Sequence, residues 1–356
     1  VGAKWVNVRE ISPGQVLGDS VCANMGKVLL SKGACLTTRS IQLLQNWGVI
    51  QVLIENYSDD ASNAGDTGDT GIVENIVQTI DADKAKAFLE IDKKIDQLLI
   101  NVDSVFDSVP KYRTIPLKPL QEISHSIFSE LLEKNGLAER VITRNFDEDD
   151  DFKVHAVVVA SLTAIISREM GFNHEQIIQA TLAGLIHDIG RLIPSPTGRT
   201  SQSEHIENAA ILLKKTIGIP KEIVLGVLQH HEKMDGTGIP MGYSAERIHP
   251  YARIIAVADF FHNLTCRTRK IDSFYTLDIL RDEMFSSLDP EITQIFIRKV
   301  RDALMNTGVV LNDGRRALVT YFHSNDSRFP IVRTLAGEVV DLGKSPNIRI
   351  ERFDNG

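Results

Sequence analysis

Cysteine is scarce in this chain. Cys22, Cys35 and Cys266 are its 3 cysteines in 356 residues. No pair stands at metal-ligand spacing, and an odd, scattered set is no disulfide framework. No apolar run approaches the roughly 18 residues a membrane span requires, and no secretory leader is recognisable. The expected compartment is the cytoplasm, with no membrane partner. Cationic surplus is absent as well, since 39 Lys and Arg face 47 Asp and Glu for a net charge of −8. That balance argues against a DNA or RNA polymer as partner, which needs clustered cations. It leaves room for a small anion held by a few local Arg and Lys. What is present is ordinary for a globular protein: 43% apolar and 24% charged residues, in a chain long enough for two or three cores.

The organisation reads as mainly α, with a small N-terminal α/β unit and a β-rich C-terminal extension. Residues 1–56 alternate β-rich runs, such as Val49 to Ile54, with the turn signals Pro13-Gly14 and Lys32-Gly33. A structural or oligomerisation module is the plainer reading of this unit, and a ligand-binding domain the other. Residues 57–72 contain almost nothing that can be buried and read as a polar linker. Residues 73–149 read as a helical connector, with Ile80, Phe88, Ile91, Ile95, Leu98 and Leu99 at helical spacing. Packing within the chain and a homodimer are both open uses of its helices. Residues 150–308 are patterned as helices, punctuated by Gly171, Gly190 and Pro250. Residues 309–356 turn β-rich, with strands expected over Ala317–Tyr321 and Ile331–Arg333.

The chemistry lies between Asp151 and Asp259. His155 shares a helix face with Val158, Val159, Leu162 and Ile166, so it faces the core. Alone it would be a hydrogen-bonded core histidine. His187-Asp188 closes an apolar helix just before Gly190, where an ionised Asp is costly unless paired or metal-bound. His205 follows a candidate N-cap, Ser203, and by itself reads as a solvated helix-end residue. His230 and His231 lie on or beside an apolar helix face that runs into Asp235-Gly236-Thr237-Gly238-Ile239-Pro240. Asp259 lies four residues after Ile255 in a helix otherwise apolar around it. A salt bridge to a neighbouring Arg would explain it blandly. Five histidines and two aspartates thus project from helical segments toward one interior. Such a mixed set suits a pair of Fe or Mn ions, and also Zn, Ni or Co. An Asp beside a His can bridge two metals, and two close metals serve phosphoryl transfer. The constellation points to hydrolysis of a phosphate ester or diester.

In order and spacing, His155, His187-Asp188 and Asp259 resemble the HD phosphohydrolase superfamily. His205, His230-His231-Glu232 and the Asp235–Pro240 run resemble its HD-GYP branch, whose motif is roughly HHExxDGxGYP. Arg253–Asp259 and Leu288-Asp289-Pro290 also match. The resemblance implies an HD-type helical bundle and a phosphodiesterase that hydrolyses cyclic di-GMP to linear pGpG or GMP. It implies a hydroxide bridging two or three divalent ions, iron or manganese. Carried over, His155, His187, Asp188, His205, His230, His231 and Asp259 match metal ligands, with Asp188 bridging. Asp151 matches a position that helps hold a third metal, although it ends an acidic run from Asp147 that is equally a solvated surface.

The departures from the family touch the substrate side. Arg191 replaces the lysine of HDxGK and Ile239 the tyrosine of GYP, and the segment from Asp188 to His205 is short. Arg keeps the charge with a different reach. The expected substrate contacts are Arg191, Arg267 and Lys270, the last two one residue short of family spacing. Asp188, Arg191 and Asp235 are the catalytic candidates, Asp235 by orienting its loop or a ligand. Two other readings stand beside the phosphodiesterase. One is a metal-binding signalling scaffold with a protein partner at the Gly238-Ile239-Pro240 loop. The other is a phosphohydrolase for another nucleotide.

Overall fold

The computed structural model describes residues 70–132, 136–144, 152–195, 201–267, 273–284, 286–323 and 326–354, with shorter stretches between 4 and 55. Most of the expected polar linker, and the acidic run that ends at Asp151, lie outside the described residues. The chain separates into two compact units, Val1–Asn75 and Ile76–Gly356.

In the first unit, β1 (Lys4–Asn7) and β2 (Val16–Leu17) flank β5 (Gln51–Glu55) in an antiparallel sheet, and β3 (Val21–Cys22) pairs with β4 (Val28–Leu30). Alternation along Val52 and Ile54 turns these two side chains inward to meet Val6, Leu17, Leu36 and Leu44. The expected β-rich runs are realised here as small sheets over an apolar core, while most of the expected helix lies outside the described residues.

The second unit is mainly helical. Its main helices are α1 (Thr70–Phe106), α2 (Leu117–Ser126), α3 (Leu137–Thr143), α4 (Phe152–Glu169), α5 (His174–Leu185), α6 (Gln202–Lys215), α7 (Lys221–Leu228), α8 (Pro250–His262), α9 (Ser273–Glu283) and α10 (Pro290–Leu304). A helix apolar on every side must be a central one. Every residue of α4 from His155 to Ser167 is buried, and α4 packs against both α5 and α8. Local signals fix the ends. Gly171 adopts φ +77° after α4, and Asn173 and Gln176 form a reciprocal capping box at the start of α5. Pro250 opens α8 and Pro290 opens α10, where the Asp289 carboxylate accepts from the amides of Glu291 and Ile292. Asp289 also pairs with Arg253 at 2.8 Å, tying the start of α10 to α8.

Two sequence expectations are corrected. The helix before Gly190 ends at Leu185, and Gly190 sits inside the 3₁₀ turn Ile189–Leu192. The cap of α6 is Ser201, whose side chain accepts from Glu204 N, and not Ser203. Three residues separate Ser201 from Glu204, the spacing at which a cap hydroxyl meets a free first-turn amide.

The C-terminal extension is an antiparallel sheet in the order β10 (Ile350–Phe353), β6 (Gly308–Leu311), β7 (Arg316–His323), β8 (Asp326–Thr334), β9 (Val339–Asp341). It packs on the helices, as expected. Phe274 of α9 stacks on Phe322, and Asp278 of α9 accepts from Ser327 N and pairs with Arg328.

Candidate metal centre

The polar interior is assembled from helix ends. His155 lies in the first turns of α4, His205 in the first turn of α6 and Asp259 in the last turn of α8. His187 and Asp188 stand just past α5, and His230 and His231 just past α7. Helices α5 and α7 close alike. Their C-cap residues, Ile186 and Gln229, have φ of −109° and −108° and donate to the carbonyl four residues back. The next residue in each case is a histidine whose Nδ1 bonds a carbonyl left unpaired by the helix end. His187 Nδ1 meets Gly184 O at 2.8 Å, and His230 Nδ1 meets Val227 O at 2.7 Å. His205 repeats the pattern, with Nδ1 3.1 Å from Ser201 O.

Those bonds set the tautomer. A carbonyl only accepts, so Nδ1 carries the proton in all three rings and Nε2 presents a lone pair. The Nε2 atoms of His205, His230 and His231 are buried and make no hydrogen bond. The carbonyl ends of α5 and α7 add partial negative charge nearby.

Two groups of ligand atoms result. Asp188, His205, His230 and His231 form one, and His155, His187 and Asp259 the other; within each, one ligand atom per residue lies within 4.8 Å of the rest. The Asp188 carboxylate spans them. Its Oδ1 is 3.1 Å from His205 Nε2 and 3.7 Å from His230 Nε2. Its Oδ2 is 3.9 Å from His155 Nε2 and 3.8 Å from His187 Nε2. In the second group Asp259 Oδ1 lies 3.1 Å from His155 Nε2 and 3.7 Å from His187 Nε2. His155 Nε2 and His187 Nε2 are themselves 3.1 Å apart. Two lone pairs at that distance need a proton or a cation between them. Buried, unprotonated imidazoles around carboxylates are the donor chemistry of a divalent metal site, so these residues fit such ions.

The electrostatics agree. Burial, reinforced by the neighbouring His230, pushes His231 down to about 2. Burial is also the main cause that pushes His205 down to about 4, against the pull of Asp188. Burial works against the charged form of His187 too, but Asp188 and Asp259 outweigh it and its pKa is raised. Desolvation disfavours both carboxylates, yet His187 and His230 hold Asp188, and His155 and His187 hold Asp259, well below the ordinary carboxylate value.

Other expected residues fall differently. His205 is fully buried, not solvated. The cause is Gly190: a Cβ there would sit 1.9 Å from the His205 carbonyl oxygen, so only glycine lets α6 press onto the 3₁₀ turn. Asp259 meets His155 and the Asn263 amide, not an Arg. Arg191 Nε pairs with Asp188 Oδ2 at 2.6 Å. Asp235 is exposed and accepts from Thr237 N and Oγ1, which orients the loop outside both ligand groups. Asp151 and Lys270, and the side chain of Arg267, lie outside the described residues.

Two roles escaped the sequence reading, which had Glu232 only as a motif residue and did not single out His262. Glu232 is buried and accepts from the amides of Met241 at 2.7 Å and Tyr243 at 2.9 Å, holding the loop to the centre. His262 is buried with its Nδ1 2.9 Å from His155 Nδ1. Its signal was available: it follows Asp259 by three residues, one turn along an otherwise apolar helix.

Residues 139–292 match the family model of an HD domain. The cyclic di-GMP phosphodiesterase PA4108 of Pseudomonas aeruginosa is 30% identical over 252 residues, 64% of this chain and 59% of its own length. The 3′3′-cGAMP-specific phosphodiesterase 1 of Vibrio cholerae is 31% identical over 160 residues, 40% of this chain and 37% of its own. The chain therefore spans less than two thirds of these relatives. Bd1817, an HDG"Y"P protein from Bdellovibrio bacteriovorus, shares the fold with a TM-score of 0.51 at 14% identity, covering 84% of this chain and 99% of that one. With His230-His231-Glu232 leading into Asp235-Gly236-Thr237-Gly238-Ile239-Pro240, the chain carries an HD domain over 139–292 and is similar to the HD-GYP proteins.

Proposed function

We propose that this chain is a metal-dependent phosphodiesterase that hydrolyses cyclic di-GMP to linear pGpG, GMP or both. The observation that carries this reading is the Asp188 carboxylate, with one oxygen turned to each of two ligand groups. His205, His230 and His231 would hold one divalent ion and His155, His187 and Asp259 the other, with Asp188 shared; iron or manganese suits this donor set. Ions held there would supply Lewis-acid charge and activate water for attack on phosphorus.

The chain's own residues do the rest. Carbonyl-anchored Nδ1 atoms keep three imidazoles aimed inward. Arg191 restrains Asp188 through Nε alone, which leaves its Nη donors for a substrate phosphate. Glu232 and the Asp235–Thr237 turn hold the loop beside the centre. Arg267 and Lys270 remain candidates for a second phosphate contact.

The test is turnover of cyclic di-GMP by metal-analysed protein purified without air, beside Asp188→Asn. Hydrolysis by the wild type and its loss in the variant are expected. Two or more bound metals without hydrolysis would overturn the proposed activity. A second substrate reading is favoured by the similarity to the cGAMP-specific enzyme. Competition by cyclic GMP-AMP in the same assay separates the two. The family's scaffold alternative predicts retained metal with no turnover of any cyclic dinucleotide.

A further inference from the structure

Of the four imidazoles whose Nδ1 contacts are resolved in this centre, three lean on a main-chain carbonyl. His155 does not. Its Nδ1 lies 2.9 Å from Nδ1 of His262, and both rings are buried. The rings are tilted by 51° with centroids 5.0 Å apart, which is an in-line contact and not a stack. Its opposite edge points Nε2 at His187 Nε2 and Asp259 Oδ1, each 3.1 Å away.

Two facing Nδ1 atoms share one proton. For His155 Nε2 to offer a lone pair to an ion, Nδ1 of His155 must carry that proton and Nδ1 of His262 must accept it. We propose that His262 is a positioning residue of the metal centre, which accepts the Nδ1 proton of His155 and so keeps Nε2 of His155 available to an ion beside His187 and Asp259. This rests on reading the two groups as metal ligands.

The chemistry of the pair differs from that of the other ligands. A carbonyl is an acceptor in every state, so His187, His205 and His230 have their tautomer fixed by the fold. An imidazole is donor or acceptor by its own tautomer. His155 is therefore set only if His262 carries its proton on Nε2. The helix geometry supports the assignment. His262 follows Asp259 by one turn on α8, so a single helix supplies both a ligand to the second group and the partner that orients another ligand of it. Outer partners of this kind typically change metal affinity by about 10–100-fold.

The experiment uses the whole chain and Zn²⁺ as probe. Zn²⁺ binding is measured by calorimetry against a competing chelator for wild type, His262→Asn and His262→Leu. The amide oxygen of Asn can take the place of the Nδ1 acceptor, whereas Leu offers none. One of two Zn²⁺ sites is expected to lose about 10–100-fold in Leu and to stay near wild type in Asn. The other site, on Asp188, His205, His230 and His231, should not move. Nitrogen-15 spectra of the Zn²⁺-loaded wild type supply a readout that does not depend on whether the Leu variant folds. They should show His262 protonated on Nε2 with a bare Nδ1. Equal Zn²⁺ binding by all three proteins, or a His262 protonated on Nδ1, overturns the positioning role while the metal centre stands. No Zn²⁺ uptake by the wild type removes the metal reading and the role of His262 together.

Discussion

At the scale of single residues, the informative departure is Arg191. The sequence marked it as a substrate contact, while the structure shows it first as a partner of Asp188. The two roles are separable because Nε makes the ion pair and the Nη groups do not. Removing a cation 2.6 Å from Asp188 cannot weaken cation binding by electrostatics. Arg191→Ala is therefore expected to keep its metal and lose about 10²–10³-fold in kcat/KM, the usual loss for one donor to developing charge. Arg191→Lys should fall between, since it keeps the charge and loses the fork. Metal analysis with steady-state kinetics checks both; a variant that sheds its metal would mean that Arg191 serves the fold and not the substrate.

At the scale of elements, much of the centre was legible. His155 announced its inward face through the valines and isoleucines at helical spacing, and the His187-Asp188 and His230-His231 pairs through their place at apolar helix ends. His205 was not legible from its own surroundings, a polar Ser-Gln-Ser-Glu-His run. Its burial depends on Gly190, fifteen positions back in the sequence. Periodicity cannot report a contact between a turn and the next helix. His262 was passed over because a histidine at the end of an apolar helix reads as a core residue unless its partner on another helix is known. Gly190→Ala tests the turn. The added methyl meets the His205 carbonyl and the Ala209 amide, so α6 must move away. A loss of about 1–3 kcal/mol or more is expected, as for overpacking elsewhere, together with weaker metal binding at the His205 group. Thermal melts of the metal-free and metal-loaded variant measure the two effects separately.

At the scale of the whole molecule, the centre trades stability for readiness to bind. Without metal, His205 and His231 in the centre, and His249 at the N-cap of α8, have folded-state pKa values below the ordinary 6.5, chiefly because burial disfavours their charge. The unfolded chain therefore takes up protons first as pH falls below 6.5, and each group then favours unfolding. His187 acts the other way: its raised pKa contributes stability below 6.5 that is lost as pH rises through its folded value. With three groups against one, the melting temperature of chelator-stripped protein should fall between pH 6.5 and 4, and calorimetric scans across that window check it. Divalent ion should restore stability by roughly 2.7 kcal/mol at a hundredfold excess over Kd. Metal-free protein that melts at the same temperature at both ends of the window would contradict this account of the histidines. Among the described residues no helix is long and apolar enough to cross a membrane.

The loop after His231 has one more consequence. Glu232 grips it through the amides of Met241 and Tyr243, Ile239 N bonds His231 O, and Ala245 N bonds Met234 O. Every one of these bonds reaches the loop by its main chain, and Gly238 lies so close to Lys233 N that no side chain fits there. The loop thus behaves as a frame with replaceable panels. Apart from the Asp235 carboxylate on Thr237 and the obligatory Gly238, its path is drawn by peptide groups that any residue carries, so the remaining side chains on its outer surface are free to drift. An isoleucine can stand where the HD-GYP motif has tyrosine without loosening the frame, and what the loop presents can change while the centre behind it stays as it was.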